Sequence, residues 1–246
     1  MGQAIIFMTG CIDPRGMGLT VLSDKEERRK QYLDAIRFYL SASGVPVLFV
    51  ENSGTDISEN FKHEIAAGKL EIVTFSGNDY DKAKGKGYGE MLIVEEAIRA
   101  SKLFGNAEFI FKVSGRYKVL NVRSYIAFQH AHNDDIDIMV NLQPGLSLAD
   151  SRFFGARPFL YIDYLVKYRE SIDDRKFVYF ETILANAVHQ AIVNGHRYSG
   201  LHHYPRHSAQ SGTSGDKYND DWSRWILKET LLKMMHRLQK AFEMVT

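Results

Sequence analysis

Compact apolar runs punctuate the first half of the chain, at residues 3–9, 46–50, 70–75 and 108–114. None is long enough for a packed helix, and each is close to continuously apolar, which suits strands buried on both faces. The segments between them carry helical patterns. After Ser23-Asp24-Lys25-Glu26, a capping box with Ser at the N-cap, Tyr32, Ala35, Ile36, Tyr39 and Leu40 form one stripe that stops near Gly44. A second helix is predicted over 91–104, stopped at Gly105. Strands alternating with helices imply parallel βαβ units with right-handed crossovers.

The second half reads differently. Strands are predicted at 137–142, 152–156 and 176–180, and helices at 158–170 and 181–194. A polar His/Ser/Gly loop over 202–219 precedes a long terminal helix from 220. No repeat or linker divides the chain. The expectation is one α/β domain over 1–246, with a mostly parallel twisted sheet flanked by helices. Its nucleotide-binding half would span 1–125, an acceptor half 126–219 and a C-terminal helix 220–246.

Composition narrows the classes. With 45% hydrophobic residues, a full core can form. The 31 basic and 30 acidic residues leave a net charge of +1, which argues against a nucleic-acid partner. The single cysteine, Cys11, excludes an intramolecular disulfide framework and a cysteine-based zinc cluster. No apolar run approaches a membrane span, and the N-terminus reads as a first strand, so a cytoplasmic protein is expected.

The candidate chemistry gathers around Lys84-Gly85-Lys86-Gly87-Tyr88-Gly89-Glu90. Alternate glycines let a backbone approach a ligand, lysines supply positive charge, and the following helix offers its N-terminus to an anion. The next strand ends in Lys112-Val113-Ser114-Gly115-Arg116, where a doubly wound sheet places ligand groups. Lys84, Lys86, Gly87, Lys112 and Arg116 are therefore the diphosphate candidates. Thr9 and Gly10 close the first strand and could frame a base, and Glu51 could accept ribose hydroxyls. Unpaired, Lys112 would be costly in its apolar strand, so it requires a phosphate or carboxylate partner. Arg28 and Arg29 fall close to the start of the first helix, where at least one of them reads as part of a solvated face. His202, His203 and His207 read as part of a polar loop: neighbours on an extended segment point to opposite faces, so His202 and His203 cannot easily share one metal. A lid is conceivable at Gly212-Thr213-Ser214-Gly215 with Lys217 and Tyr218.

This order of elements resembles the GT-A glycosyltransferases, which have a nucleotide-diphospho-sugar transferase fold. The ending Val50-Glu51-Asn52-Ser53-Gly54-Thr55-Asp56 is similar to the "VDDGSTD" of family 2 members. The glycine segment, helix and strand resemble the "N-x-G-x-x-x-A-R-N" helix leading to the "DxD" strand. The stretch VYFETILANAV, from Val178 to Val188, resembles the "E-D" helix start that supplies the base in inverting members. More loosely, GKGYGE and K-x-x-GR resemble bacterial capsular and lipooligosaccharide glycosyltransferases. The resemblance implies a nucleotide-sugar donor, a saccharide or lipid-linked saccharide acceptor, and a role in surface polysaccharide assembly. Glu181 is the matching base, with Asp150 its rival. Where metal-dependent members carry Asp-x-Asp, this strand carries Lys112 and Arg116. No metal or other cofactor is therefore expected, with Mg²⁺ or Mn²⁺ as the alternative; the literal Asp79-Tyr80-Asp81 lies too early in the order. A sugar nucleotidyltransferase and a non-catalytic nucleotide-sugar or glycan-binding protein are the rival readings. The terminal helix, carrying Trp222, Trp225, Ile226, Met235, Leu238 and Phe242, would pack on the domain, on a second copy or at the inner membrane face.

Overall fold

A computed structural model describes residues 3–15, 23–210, 217–219 and 222–243. The lid candidates Gly212, Thr213, Ser214 and Gly215 lie outside the described residues. The chain runs β1 (Gln3–Gly10), α1 (Lys25–Ala42), β2 (Val47–Glu51), α2 (Lys62–Ala66), β3 (Leu70–Thr74), α3 (Lys86–Ala100), α4 (Lys102–Asn106) and β4 (Ala107–Ser114). It continues with β5 (Lys118–Val119), α5 (Val122–Ala131), β6 (Ile138–Met139), β7 (Phe153–Ala156) and α6 (Phe180–Val193). The last elements are β8 (Tyr198–Ser199), β9 (His207–Gln210), β10 (Lys217–Asn219) and α7 (Trp222–Glu243).

Seven strands form the main sheet in the order β3-β2-β1-β4-β7-β6-β8. The first four are mutually parallel, β7 is antiparallel to β4 and β6, and β8 runs parallel to β6. A small second sheet has the order β10-β9-β5. The expected α/β architecture, a mostly parallel sheet flanked by helices, is what forms. The chain adds β2 and β3 on one side of β1 and then crosses to β4 on the other. The order therefore reverses between β1 and β4, and their carboxyl ends, Gly10 and Ser114, border a topological switch point.

Both faces of the sheet are covered, which explains the continuous apolar runs. Ala4, Ile6 and Met8 of β1 pack with Tyr32, Ile36 and Tyr39 of α1 and Tyr125 of α5. Ile5 and Phe7 face Met91 and Val94 of α3 and Leu184 and Val188 of α6. The same alternation in β4 sends Phe109, Phe111 and Val113 to the α1/α5 side. It turns Lys112 toward α3 and α6, with no exposed surface.

Several local expectations change. The N-cap of α1 is Asp24, whose carboxylate accepts the Glu27 amide at 2.7 Å, one residue later than expected. The glycine segment is not a loop: Gly87 and Gly89 belong to the first turns of α3, and only Gly85 (φ +89°) precedes it. A Cβ on Gly87 would lie 3.0 Å from the Phe180 backbone nitrogen, and one on Gly89 would strike the Tyr80 hydroxyl at 2.4 Å. Gly87 lets α3 approach the start of α6, and Gly89 leaves room for the Tyr80 side chain. The helix predicted over 91–104 begins earlier and breaks at Ser101, and Gly105 sits inside α4. Residues 160–165 wind as a π-helix and 166–171 as a 3₁₀-helix in place of one α-helix. The segment 176–180 is not a strand: it closes a turn between Asp173 and Val178 and then enters α6.

Candidate functional site

The loops at the switch point are organised by buried charges. Glu51 has no exposed surface, and its carboxylate accepts the amides of Ile12 (2.8 Å), Ser53 (3.0 Å) and Thr55 (2.9 Å) together with the Ser53 hydroxyl (2.5 Å). The ribose role expected of Glu51 is therefore corrected: its acceptor capacity is committed to shaping two loops. Of the pair Arg28 and Arg29, Arg28 is buried and donates to the Cys11 and Ile12 carbonyls. Arg29 does reach solvent, donating to Asn60. Burial pushes the Cys11 thiol up to about 11 against the opposing Arg28 charge, so it is no nucleophile near neutral pH. Gly10 is buried at the end of β1, where a Cβ would strike the Phe49 ring at 2.4 Å. It packs rather than presenting bare backbone.

A cationic cluster stands at this rim. Lys86 is an exposed residue at the start of α3, yet its ammonium has a lowered pKa, through desolvation first and then the positive charges of Arg28 and Arg116, opposed by Asp174. Arg116, just past β4, donates to Gln31 at 3.0 Å. Lys86 thus stands within electrostatic reach of Arg28 and Arg116. Two other cations do not. Lys84 pairs with Glu170 at 2.9 Å and lies over the Tyr88 ring, so its diphosphate role is corrected to an ion pair. Lys112 is wholly buried and donates to the Glu90 carboxylate and to the Ser151 carbonyl at 2.8 Å. The partner it required is a carboxylate beneath the rim, and it does not reach the open cleft.

That buried lysine links the rim to a second site. Thr9 at the end of β1 donates its hydroxyl to Glu90 at 3.2 Å. Glu90 pairs with Lys112, and Lys112 holds the Ser151 carbonyl. Ser151 in turn donates its hydroxyl to Glu181 at 2.6 Å. Glu181 lies in the first turn of α6, where the macrodipole favours a carboxylate. Asn141, Gln143, Asp150, Ser151, Arg152 and Glu181 line a cavity of about 310 Å³. The two rival bases thus share one cavity in different states. Asp150 binds the Arg152 guanidinium at 2.9 and 2.6 Å through both oxygens. Burial pushes its pKa up, but the Arg152 hydrogen bonds and charge outweigh this and hold it below the usual range. Glu181 accepts a neutral hydroxyl, so it is the better placed proton acceptor. The cavity borders the rim, since the Ser114 amide donates to the Arg152 carbonyl at 3.0 Å.

The remaining candidates lie elsewhere. Asp81 caps a short 3₁₀ turn through the Ala83 amide and pairs with Arg175 at 3.2 Å, while Asp79 is exposed. Among the described residues no group of three or more His, Cys, Asp or Glu side chains could hold a metal. His202 and His203 do not diverge as expected, because their segment is a bend and their rings stand 4.2 Å apart. His202 stacks on Phe128, and His203 pairs with Glu229 of α7. Trp225 of α7 donates to the Tyr204 carbonyl at 2.9 Å, so this helix docks on the same segment. Among the described residues no helix is long and apolar enough to cross a membrane. The sequence reading missed Glu90 and Ser151 as network members; Glu90 stood inside the glycine motif, but nothing local showed that it would face Lys112.

No family model and no curated protein matches the sequence. Among solved structures, the chain is similar to a protein from Desulfovibrio desulfuricans described as a nucleotide-diphospho-sugar transferase. The TM-score is 0.44 at 10% identity, over 82% of this chain and 80% of that one. It is also similar to S. aureus TarS in complex with UDP, with a TM-score of 0.46 at 11% identity over 86% of this chain and 61% of the other. A cytidylyltransferase from Leptospira borgpetersenii gives a TM-score of 0.38 at 11% identity over 73% and 74%. The functional reading rests on the residues of the site and not on these likenesses.

Proposed function

We propose that the chain is a glycosyltransferase that takes a sugar from a nucleotide-activated donor and places it on a saccharide hydroxyl. The observation that carries this is the hydrogen-bonded run from Thr9 through Glu90, Lys112 and Ser151 to Glu181. It joins a cationic rim suited to a diphosphate to a cavity holding a carboxylate suited to a proton. In this reading Lys86 and Arg116 neutralise the diphosphate, with Arg28 close behind them; cations of this kind stabilise a leaving group that gains charge. The acceptor oxygen attacks the anomeric carbon as the bond to the diphosphate breaks. The diphosphate leaves with the bonding electrons, and the hydroxyl proton passes to Glu181. Attack from the side opposite the leaving group inverts the anomeric centre. With cations at the diphosphate, the reaction proceeds without a divalent metal. Surface polysaccharide assembly is the setting suggested by the sequence resemblance.

The test is nucleotide release from UDP- and GDP-sugars in the presence of saccharide acceptors. Glu181→Gln is expected to lower kcat by about 10²–10⁴-fold while leaving the nucleotide-induced thermal shift unchanged. Excess EDTA is expected to leave wild-type turnover intact. Full turnover in Glu181→Gln would remove the base assignment. Pyrophosphate release from a nucleoside triphosphate and a sugar phosphate would replace the whole reading with nucleotidyl transfer.

A further inference from the structure

Among the described residues three non-glycine positions have positive φ: Arg15 (41°), Leu146 (57°) and Phe177 (57°). All three sit in loops rather than in regular elements. Arg15 follows β1 at the switch point. Leu146 lies between Leu142 and Ala149, which bridge at the cavity wall. Phe177 is four residues before Glu181. Backbone strain of this kind persists where the surroundings over-determine it, and it concentrates at ligand sites.

Phe177 combines two unfavourable features. Asp173 and Val178 exchange backbone hydrogen bonds of 3.0 and 3.2 Å, closing a four-residue tip with Phe177 in its last position. The left-handed conformation there suits Gly or Asn, and a bulky residue is strained. The Phe177 ring is also 76% exposed, so burial offsets none of that strain. The tip itself is firmly held. The Asp173 carboxylate accepts the Arg175 amide at 3.0 Å and its guanidinium at 2.8 and 2.7 Å, and Arg175 reaches Asp81. The tip also packs against the residue before α3 and leads into α6. On one side the Asp174 carboxylate packs against Gly85, where a Cβ would meet it at 2.0 Å, beside Lys86. On the other side the chain passes through half-exposed Tyr179 into α6 and Glu181.

We propose that Phe177 is an acceptor-binding residue whose ring stacks on the apolar C–H face of a pyranose, leaving the sugar hydroxyls to the polar cavity at Asp150, Ser151 and Glu181. This rests on the saccharide-acceptor reading given above. A pyranose has one face rich in C–H groups and an edge rich in hydroxyls. An exposed aromatic face with a negative π surface, on the turn that enters α6 four residues ahead of the cavity's Glu181, matches both. Held by a locked tip, the ring loses little freedom on binding.

An array of neutral and acidic oligosaccharides, probed with wild-type protein and with Phe177→Gly and Phe177→Trp, tests this. Wild type and Phe177→Trp are expected to bind a common subset. Phe177→Gly is expected to bind that subset about tenfold or more weakly, with a Tm no lower than wild type because the strain is relieved. The thermal shift given by UDP, GDP or CDP is expected to be the same in all three proteins. Wild-type protein that binds no saccharide, or Phe177→Gly that binds as wild type does, overturns the inference. So does a fall in Tm accompanied by loss of binding in both variants, since that marks a structural role. Absence of turnover with every donor, alongside a Phe177-dependent array signal, would count against the transferase reading and not against this one.

Discussion

At the switch point, like charges crowd together. Desolvation first, and then the charges of Arg28 and Arg116, lower the Lys86 pKa, with Asp174 opposing them. In the cavity a few residues away, charge is balanced. Asp150 is held by both arms of Arg152, and Glu181 takes a hydroxyl from Ser151. The first arrangement gains when an anion arrives. The second is satisfied as it stands and fixes the direction of one carboxylate. Binding and proton transfer need these opposite constructions, and the buried Lys112–Glu90 pair lets one fold hold both.

The largest effect is expected from breaking that connection. Lys112→Met leaves Glu90 without its cation, and removing one partner of a buried pair costs about 3–5 kcal/mol. Chemical denaturation would measure it. Adding Glu90→Gln should recover a substantial part, because the uncompensated carboxylate is gone; a double variant as unstable as the sum of the singles would show that the pair does not couple the two regions. Next in size are the rim cations. Lys86→Ala and Arg116→Ala should each weaken nucleotide diphosphate binding by about 1.5–3 kcal/mol, the range of a hydrogen bond to a charged group. Calorimetric titration with UDP and GDP would detect this. Tm should fall little in either variant, Arg116→Ala losing its hydrogen bond to Gln31; a large destabilisation would mean that the rim is a structural ion network.

The smallest effect concerns the outer edge of the cavity half. Asp137 accepts from the Arg197 amide and guanidinium and from Arg157, fastening β8 and the end of β7 to β6. The Arg197 hydrogen bonds, against partial burial, hold its carboxyl well below the usual carboxylate range. A folded pKa below the unfolded value of about 3.9 adds stability that is fully present above that value. It is lost as pH falls through the folded pKa. Thermal unfolding between pH 6 and pH 2 should therefore show an acid limb that Asp137→Asn flattens. The substitution should cost about 1–2 kcal/mol at neutral pH.

The N-terminal half was readable because its strands are buried on both faces. The runs ending at Thr9, Val50, Phe75 and Ser114 fall within a residue of the observed β1, β2, β3 and β4. The second half carried weaker local signals. Apolar positions over 158–170 fit a helix, but the segment winds as π and 3₁₀ turns against α6. The Val178 and Phe180 alternation suggested a strand, whereas Val178 closes the tip and Phe180 opens α6 beside Gly87. The glycine motif was ambiguous in principle. Gly-x-Gly serves equally for backbone exposed to a ligand and for helices in close contact, and only the neighbour at 3.0 Å distinguishes them.

Alone, the sequence determined the parallel strands, their order of appearance and the chemical types available at their carboxyl ends, because continuous apolar runs and caps are local properties. Glu181 and Asp150 were also named from the chain alone. Which cations share a rim, which carboxylate is consumed by an arginine and which lysine is buried were decided by tertiary structure. Electrostatic pairing depends on distances between segments tens of residues apart: Thr9 meets Glu90, Lys112 meets Ser151, and no local pattern encodes those separations.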